Sequence, residues 1–404
     1  MVDNHIENLT IRTALAKPEF ARHHHAIIKK MDVIALDAQR QKQAKKYASI
    51  RRRLMLVDLS IGIVYLVAWL FTGWSIDLRH WLLTFTSSHF LLLTGFLGVF
   101  GGIFFLVNLP LAYYSGFVLP HSFGQSNQAL KGWLLDQLKG LSIAGLIGLI
   151  LVQIIYMVLR TAPDTWWLWA AAILLFFNIL MANLAPVLIA PLFYKFQSLH
   201  ESRADLSNRL AEMARRAGVR VRGVYRFDMS RRTKSANAAL FGLGNTRRII
   251  LGDTLLTEFT DDEIETVLAH ELGHHAHNDI PLSIVTTAVI NLLGLYLAAA
   301  GLRLGVQLFG FSGPADIAAI PLLALILGAF GLLTMPAENA FSRWRERMAD
   351  RYALQLTGKK EAFATAFTRL ANQNLAEVDP EPWVVFLFYS HPPLGERIQS
   401  ARSA

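Results

Sequence analysis

The chain has 404 residues, of which 53% are hydrophobic and only 17% are charged, against about a quarter charged in soluble domains. A purely water-soluble globule is therefore excluded. The formal net charge is +9, but the basic residues lie between apolar runs and at the chain ends rather than in one patch interleaved with aromatics. That pattern argues against nucleic acid and for membrane topology signals, with the lipid bilayer as partner.

Residues 1–53 are polar and carry Lys29, Lys30, Lys42, Lys45 and Lys46. They lack the early apolar core of a cleavable signal and read as a cytoplasmic segment. The run His23-His24-His25 reads as a solvated polar stretch. Crossing a bilayer takes roughly 20 apolar residues in a helix, and six stretches qualify: 54–74, 91–119, 141–159, 166–188, 280–302 and 318–335. The first follows Arg51-Arg52-Arg53, and Pro110 suggests a kink in the second. The fourth runs into Pro186 and Pro191, and the sixth is expected to stop at Pro336. Trp166, Trp167 and Trp169 suit an interfacial aromatic belt. Segment 195–279 is rich in arginine, whereas 75–90, 160–165 and 303–317 carry only Arg79, Arg160 and Arg303. This alternation puts the N-terminus, 195–279 and the C-terminus on the cytoplasmic side.

Between the fourth and fifth spans the patterning changes. Residues 206–217 form an amphipathic helix stopped by Gly218, 219–227 alternates like a strand, and 248–251 is a second short strand. Thr260 is placed to cap a helix whose first turn carries Asp261, Asp262 and Glu263. The expected fold is a mainly α-helical polytopic membrane protein of about six transmembrane helices with a small cytoplasmic α+β part. Its divisions are 1–53, the membrane helices of 54–194, the soluble part 195–279, two more membrane helices in 280–336, and a second soluble part in 337–404. No internal repeat is visible.

The helix begun at Thr260 continues into His270-Glu271-Leu272-Gly273-His274, an H-E-x-x-H pattern. Histidines four apart share one helical face, so both imidazoles can reach one zinc ion. Glu271 stands beside that face, where it can take a proton from an attacking water. A catalytic zinc takes three protein ligands and keeps one position open. The third candidate is Glu346, one helical turn before Asp350, which can accept a hydrogen bond from the free nitrogen of a ligand histidine. The same pair also fits an ordinary charged helix face, and His277 is an alternative ligand.

With these blocks in place the sequence resembles the integral-membrane zinc metallopeptidases that include the type I CAAX prenyl protease and its bacterial relatives. The resemblance rests on the HELGH run, on Ser342-Arg343-x-x-Glu346-x-x-x-Asp350, on residues 235–242 and 248–256, on the proline-containing stretch 185–193, and on His391-Pro392-Pro393 with Arg397. It implies one zinc ion per chain on His270, His274 and Glu346, with Glu271 as base and Asp350 supporting the ligands. It further implies substrate contacts from Asn237, Ala238 and Ala239 on an edge strand. His391 and Arg397 are implied to touch the substrate backbone or stabilise the tetrahedral intermediate. Two departures stand out. Eukaryotic members are expected to have seven spans where six are counted here, and Ala239 replaces a frequent aromatic residue, which bears on prenyl specificity. The implied activity is endopeptidase hydrolysis at the cytoplasmic face of a bacterial inner membrane. The substrate is either a C-terminal or lipid-linked peptide or a damaged membrane protein. The competing readings are a zinc-binding membrane scaffold, which would not need Glu271, and a transporter, which would need charged residues within the spans.

Overall fold

The computed structural model describes residues 35–404 apart from Leu243. The N-terminal segment to residue 34, with His23-His24-His25, lies outside the described residues. Among the described residues six helices are long and apolar enough to cross a membrane, in agreement with the hydropathy of the sequence.

Helix α1 (Ala38–Phe71) starts under a side-chain cap, with Asp37 accepting from the backbone amides of Gln39 and Arg40 at 2.8 and 3.0 Å. Its basic first half precedes the apolar span. The chain reverses at Gly73, whose φ of 81° is readily available to glycine alone, and enters α2 (Trp74–Leu83). This helix of 10 residues is roughly 15 Å long, too short to cross. Helix α3 (His89–Tyr113) passes through Pro110 and continues as a π-helical turn, Tyr114–Val118. Helices α4 (Leu130–Thr161) and α5 (Trp166–Leu184) follow, and a second π turn at Ala185–Ile189 contains Pro186.

The soluble part combines helices with a small sheet. Strand β1 (Phe196–Ser198) leads to α6 (Ala204–Arg216), then β2 (Val224–Phe227), β3 (Ala238–Phe241) and β4 (Arg248–Gly252). The sheet order is β1-β2-β4-β3, with β2–β4 parallel and the other pairings antiparallel, so β3 is an edge strand. The strand expected over 219–227 is confined to its second half, because pairing with β4 begins only at Val224↔Ile249.

Helix α7 (Asp261–Ala276) opens with a full capping box between Thr260 and Glu263. Helix α8 (Asp279–Phe309) recrosses the membrane, and α9 (Ile320–Thr357) returns. Here the expected stop at Pro336 is corrected: α9 runs on through Pro336 without a break to Thr357 and carries Glu346 and Asp350. Proline removes one amide donor, but the flanking turns stay helical, as membrane helices often allow. The boundary expected at 336–337 therefore falls within one helix. Helices α10 (Lys360–Gln373), α11 (Pro382–Phe388) and α12 (Leu394–Ser403) complete the chain.

Two separate cores result. One wraps the sheet with α6, α7, α10 and α12, around Ile249, Leu251, Ile264, Leu268 and Phe363. The other closes the far end of the helix bundle around Trp69, Phe96, Leu159, Trp166 and Leu302. Between them the spans present large apolar side chains outward, such as Leu308 at 77% and Leu333 at 79% exposure, which is what a lipid-facing surface requires.

Candidate metal centre and peptide cleft

Helices α7 and α9 cross at unusually close range because of Gly273. A Cβ there would lie 2.8 Å from Ala349 Cα and 3.0 Å from Ala349 O. That contact brings Glu346, one turn before Ala349, against the two motif histidines. One ligand atom each from His270, His274 and Glu346 fall within 4.8 Å of one another.

The hydrogen bonds fix how these groups face. His270 Nδ1 lies 2.8 Å from Asp350 Oδ1, and His274 Nδ1 lies 2.7 Å from Asp279 Oδ2. Both Nδ1 atoms are assigned the proton, since each faces a carboxylate. In the neutral, metal-binding form of each ring Nε2 then carries a bare lone pair, and the two Nε2 atoms face each other at 3.2 Å. Glu346 Oε2 and Oε1 stand 3.3 and 3.4 Å from His270 and His274 Nε2, and Glu346 Oε2 is buried without a hydrogen-bond partner. Three acceptors aimed at one point without a donor between them fit a cation, and two imidazoles with one carboxylate form a donor set suited to zinc. The electrostatics agree. Burial and the Arg397 guanidinium oppose a proton on His270, but Asp350 and Glu346 outweigh them and hold it up at about 9. The cluster thus attracts positive charge.

The supporting residues come from several elements. Asn278 takes a left-handed backbone conformation, φ 55°, which asparagine tolerates, and turns the chain so that Asp279 swings back to His274. Arg345 engages the other oxygen of Asp279 and donates to His277 O at 2.5 Å. Sequence reasoning did not single out Asp279. An acid just past a motif helix was the available signal, but its role needed the turn at Asn278. Asp350 takes paired bonds from Arg397 at 2.5 and 2.9 Å. The Arg397 guanidinium is buried and lies 3.9 Å from the Phe367 ring centroid. The alternative ligand His277 falls outside the three-residue group: its Nδ1 lies 2.8 Å from Gly273 O, at the end of α7.

A cavity of about 780 Å³ opens in front of this cluster, lined by His270, Glu271, Asn237, Ala238, His391 and the Arg51 face of α1. Burial pushes the Glu271 carboxyl up. His391 Nε2 lies 3.2 Å from Glu346 Oε1 while its Nδ1 is 2.9 Å from Ser390 Oγ. Its segment is tied to α9 by Arg343, which donates to Val385 O and Tyr389 O at 2.9 and 2.6 Å, and by Asn339, which donates to Leu387 O at 2.6 Å. Asn237 Oδ1 accepts from the Ala238 amide at 2.9 Å, at the start of the β3 edge, and Ala239 follows on the same strand. Nine of the ten residues expected at the site are in this cluster or its cavity wall, Arg397 both lining the cavity and pairing with Asp350; Ala239, next on the β3 strand, does not line the cavity.

The profile of peptidase family M48 matches residues 200–404, and the profile described as "CAAX prenyl protease N-terminal, five membrane helices" matches residues 21–195. The chain is 30% identical over 362 residues to the uncharacterized metalloprotease YhfN of Bacillus subtilis, covering 89% of this chain and 84% of that protein. It is 32% identical over 323 residues to CAAX prenyl protease 1 of Saccharomyces cerevisiae, covering 75% and 70%. Among solved structures it resembles Ste24p of S. mikatae, with a TM-score of 0.80 at 27% identity over 90% of this chain and 89% of that one.

Proposed function

This chain belongs to peptidase family M48 and is a membrane metalloprotease, and we propose that it is a zinc-dependent endopeptidase with Glu271 as general base. His270, His274 and Glu346 hold a single zinc ion, and the observation that carries this is the convergence of three donorless acceptor atoms. When bound, zinc supplies Lewis acidity, polarising the scissile carbonyl and easing deprotonation of water. Glu271 takes the proton of the attacking water and passes it to the leaving amine; burial makes its carboxylate a stronger base than an exposed one. His391, beside Glu346 at the cavity wall, donates to the developing oxyanion. Asp350 and Asp279 fix the histidine tautomers, and Arg397, which also lines the cavity, holds Asp350 in place. An extended peptide adds to the open edge of β3, with Asn237 holding its backbone. The site lies at the end of the bundle that carries the basic start of α1, which supports placement at the cytoplasmic face.

Between the two substrate classes, one observation favours a C-terminal peptide. Arg52 on α1 is neutralised by Glu377 at 2.9 Å, but Arg51, which lines the same cavity and lies over the Tyr47 ring, has no ion-pair partner among the described residues. A free guanidinium facing the cleft suits a terminal carboxylate. Detergent-purified protein should cleave a peptide ending in a carboxylate with a KM about tenfold below that of its C-terminal amide, and Arg51→Gln should erase the difference. Equal KM values for both peptides in the unaltered protein would favour internal cleavage of damaged membrane proteins. Loss of all hydrolysis in Glu271→Gln, with the metal retained, tests the enzyme assignment independently.

A further inference from the structure

A second cavity, of about 510 Å³, lies at the opposite end of the bundle, between the start of α3, the end of α4 and the connection 312–317. Its lining combines Arg79, His89 and Arg160 with the apolar Leu83, Leu92 and Leu93. Asp316 is the sole acid lining it, and that carboxylate is already spent. It accepts from the Ser312 amide and hydroxyl at 2.8 and 2.9 Å and from the Ala318 amide at 2.9 Å, and it pairs with Arg79.

Among the other polar groups of the lining, Gln153 donates to Phe90 O and Thr94 Oγ1 at 2.9 and 3.0 Å and His80 Nε2 lies 2.9 Å from an Arg79 nitrogen, while further donors are left without acceptors. Tyr156 is 5% exposed and lines the cavity, and its hydroxyl has no hydrogen-bond partner among the described residues. Arg79 Nε is buried and unpartnered. Arg160 and His89 likewise have no ion-pair or hydrogen-bond partner among the described residues. An enclosed phenol whose hydroxyl has no protein partner keeps that donor for a group entering the cavity, and two guanidinium groups beside one saturated carboxylate leave an excess of positive charge. The start of α3 at the rim adds the positive end of a helix dipole.

We propose that this pocket binds the phosphate headgroup of an anionic lipid, held by Arg160, Arg79 and the Tyr156 hydroxyl, with its glycerol and upper acyl carbons on the leucines. A lining that joins donors to leucines, where α3 starts and α4 ends, matches an amphiphile and not a free ion. The occupant ties α2 and the 312–317 connection to α4, far from the metal centre.

Full-length protein, delipidated in detergent, would be titrated with phosphatidylglycerol, phosphatidylcholine or inorganic phosphate and read by native mass spectrometry and thermal unfolding. Phosphatidylglycerol is expected to stay bound and raise the unfolding temperature. Tyr156→Phe, which removes one oxygen, and Arg160→Gln, on an exposed residue, are each expected to weaken its binding about tenfold. Hydrolysis of a short soluble peptide should be unchanged in both. Binding of phosphatidylglycerol that is absent, or equally tight in both variants, overturns the assignment. Equal protection by inorganic phosphate assigns the pocket to a soluble anion instead, and equal binding of phosphatidylcholine removes the charge selectivity on which the proposal depends.

Discussion

Gly273→Ala isolates the contact that builds the metal centre. Alanine ordinarily strengthens a helix interior by about 1 kcal/mol relative to glycine. At this position the new methyl would lie 2.8 Å from Ala349 Cα and 3.0 Å from Ala349 O, whereas carbon atoms rest at about 3.5–4.0 Å. Helices α7 and α9 must therefore part by about 1 Å. Overpacking of this kind typically destabilises by about 1–3 kcal/mol, enough to outweigh the propensity gain. The larger consequence is at the ligands, because Glu346 travels with Ala349 on α9 while both histidines stay on α7. Metal–ligand bonds tolerate errors of only about 0.2 Å, so zinc affinity, measured by chelator competition, should fall tenfold or more. Turnover should fall further, toward a hundredfold for a 1 Å misplacement. Ala349→Gly should not rescue the variant, since the nearest atoms are backbone. Gly328→Ala in α9, with no atom within 4 Å of the added carbon, serves as the neutral control. Unchanged zinc affinity and turnover in Gly273→Ala would refute the reasoning.

Asp279→Asn should lower zinc affinity by about ten- to a hundredfold while leaving the KM of metal-loaded protein near its original value; a shift in KM alone would mean that Asp279 meets the substrate. Arg397→Ala should act in the same way through Asp350, so excess zinc should restore much of its activity, and a loss that zinc cannot repair would return Arg397 to the oxyanion. The hydrogen bond from Lys359, at 2.6 Å, holds the Asp262 carboxyl below the usual carboxylate range. Its folded-state pKa is thus depressed, and its contribution is present above the unfolded value and lost as pH falls through the folded one. Asp262→Asn should therefore narrow the gap between melting temperatures at neutral and acid pH by a small amount, since the pair is largely exposed; an unchanged gap would remove Asp262 from the acid response.

The membrane spans were legible because a bilayer demands long uncharged runs, and these stand out against a 17% charged background. The histidine pair was legible because helical spacing alone puts positions 270 and 274 on one face. Glu346 and Asp350 were legible as a pair, and the need for a third ligand together with the resemblance joined them to the histidines; what holds α9 against α7 was not legible, since the small residues Gly273 and Ala349 meet only in three dimensions. Pro336 was read as a stop because proline removes an amide, and α9 carried on because its flanking turns remain helical. Asp279 escaped notice because on a continuous helix it would point away from His274. The left-handed turn at Asn278 reverses that direction. Strand β1 has only three residues, too short for its alternation to be read. His391 reached the site by resemblance, since its approach to Glu346 depends on the Arg343 and Asn339 bonds that hold its segment.

The central claim is that one cluster binds zinc and that Glu271 works on what the zinc activates. Metal content and peptide hydrolysis, measured side by side on purified full-length protein, Glu346→Gln and Glu271→Gln, test both halves at once. The account predicts one zinc per chain with hydrolysis in the unaltered protein, loss of both in Glu346→Gln, and retained zinc without hydrolysis in Glu271→Gln. Full zinc occupancy in Glu346→Gln, or substantial turnover in Glu271→Gln, would contradict it.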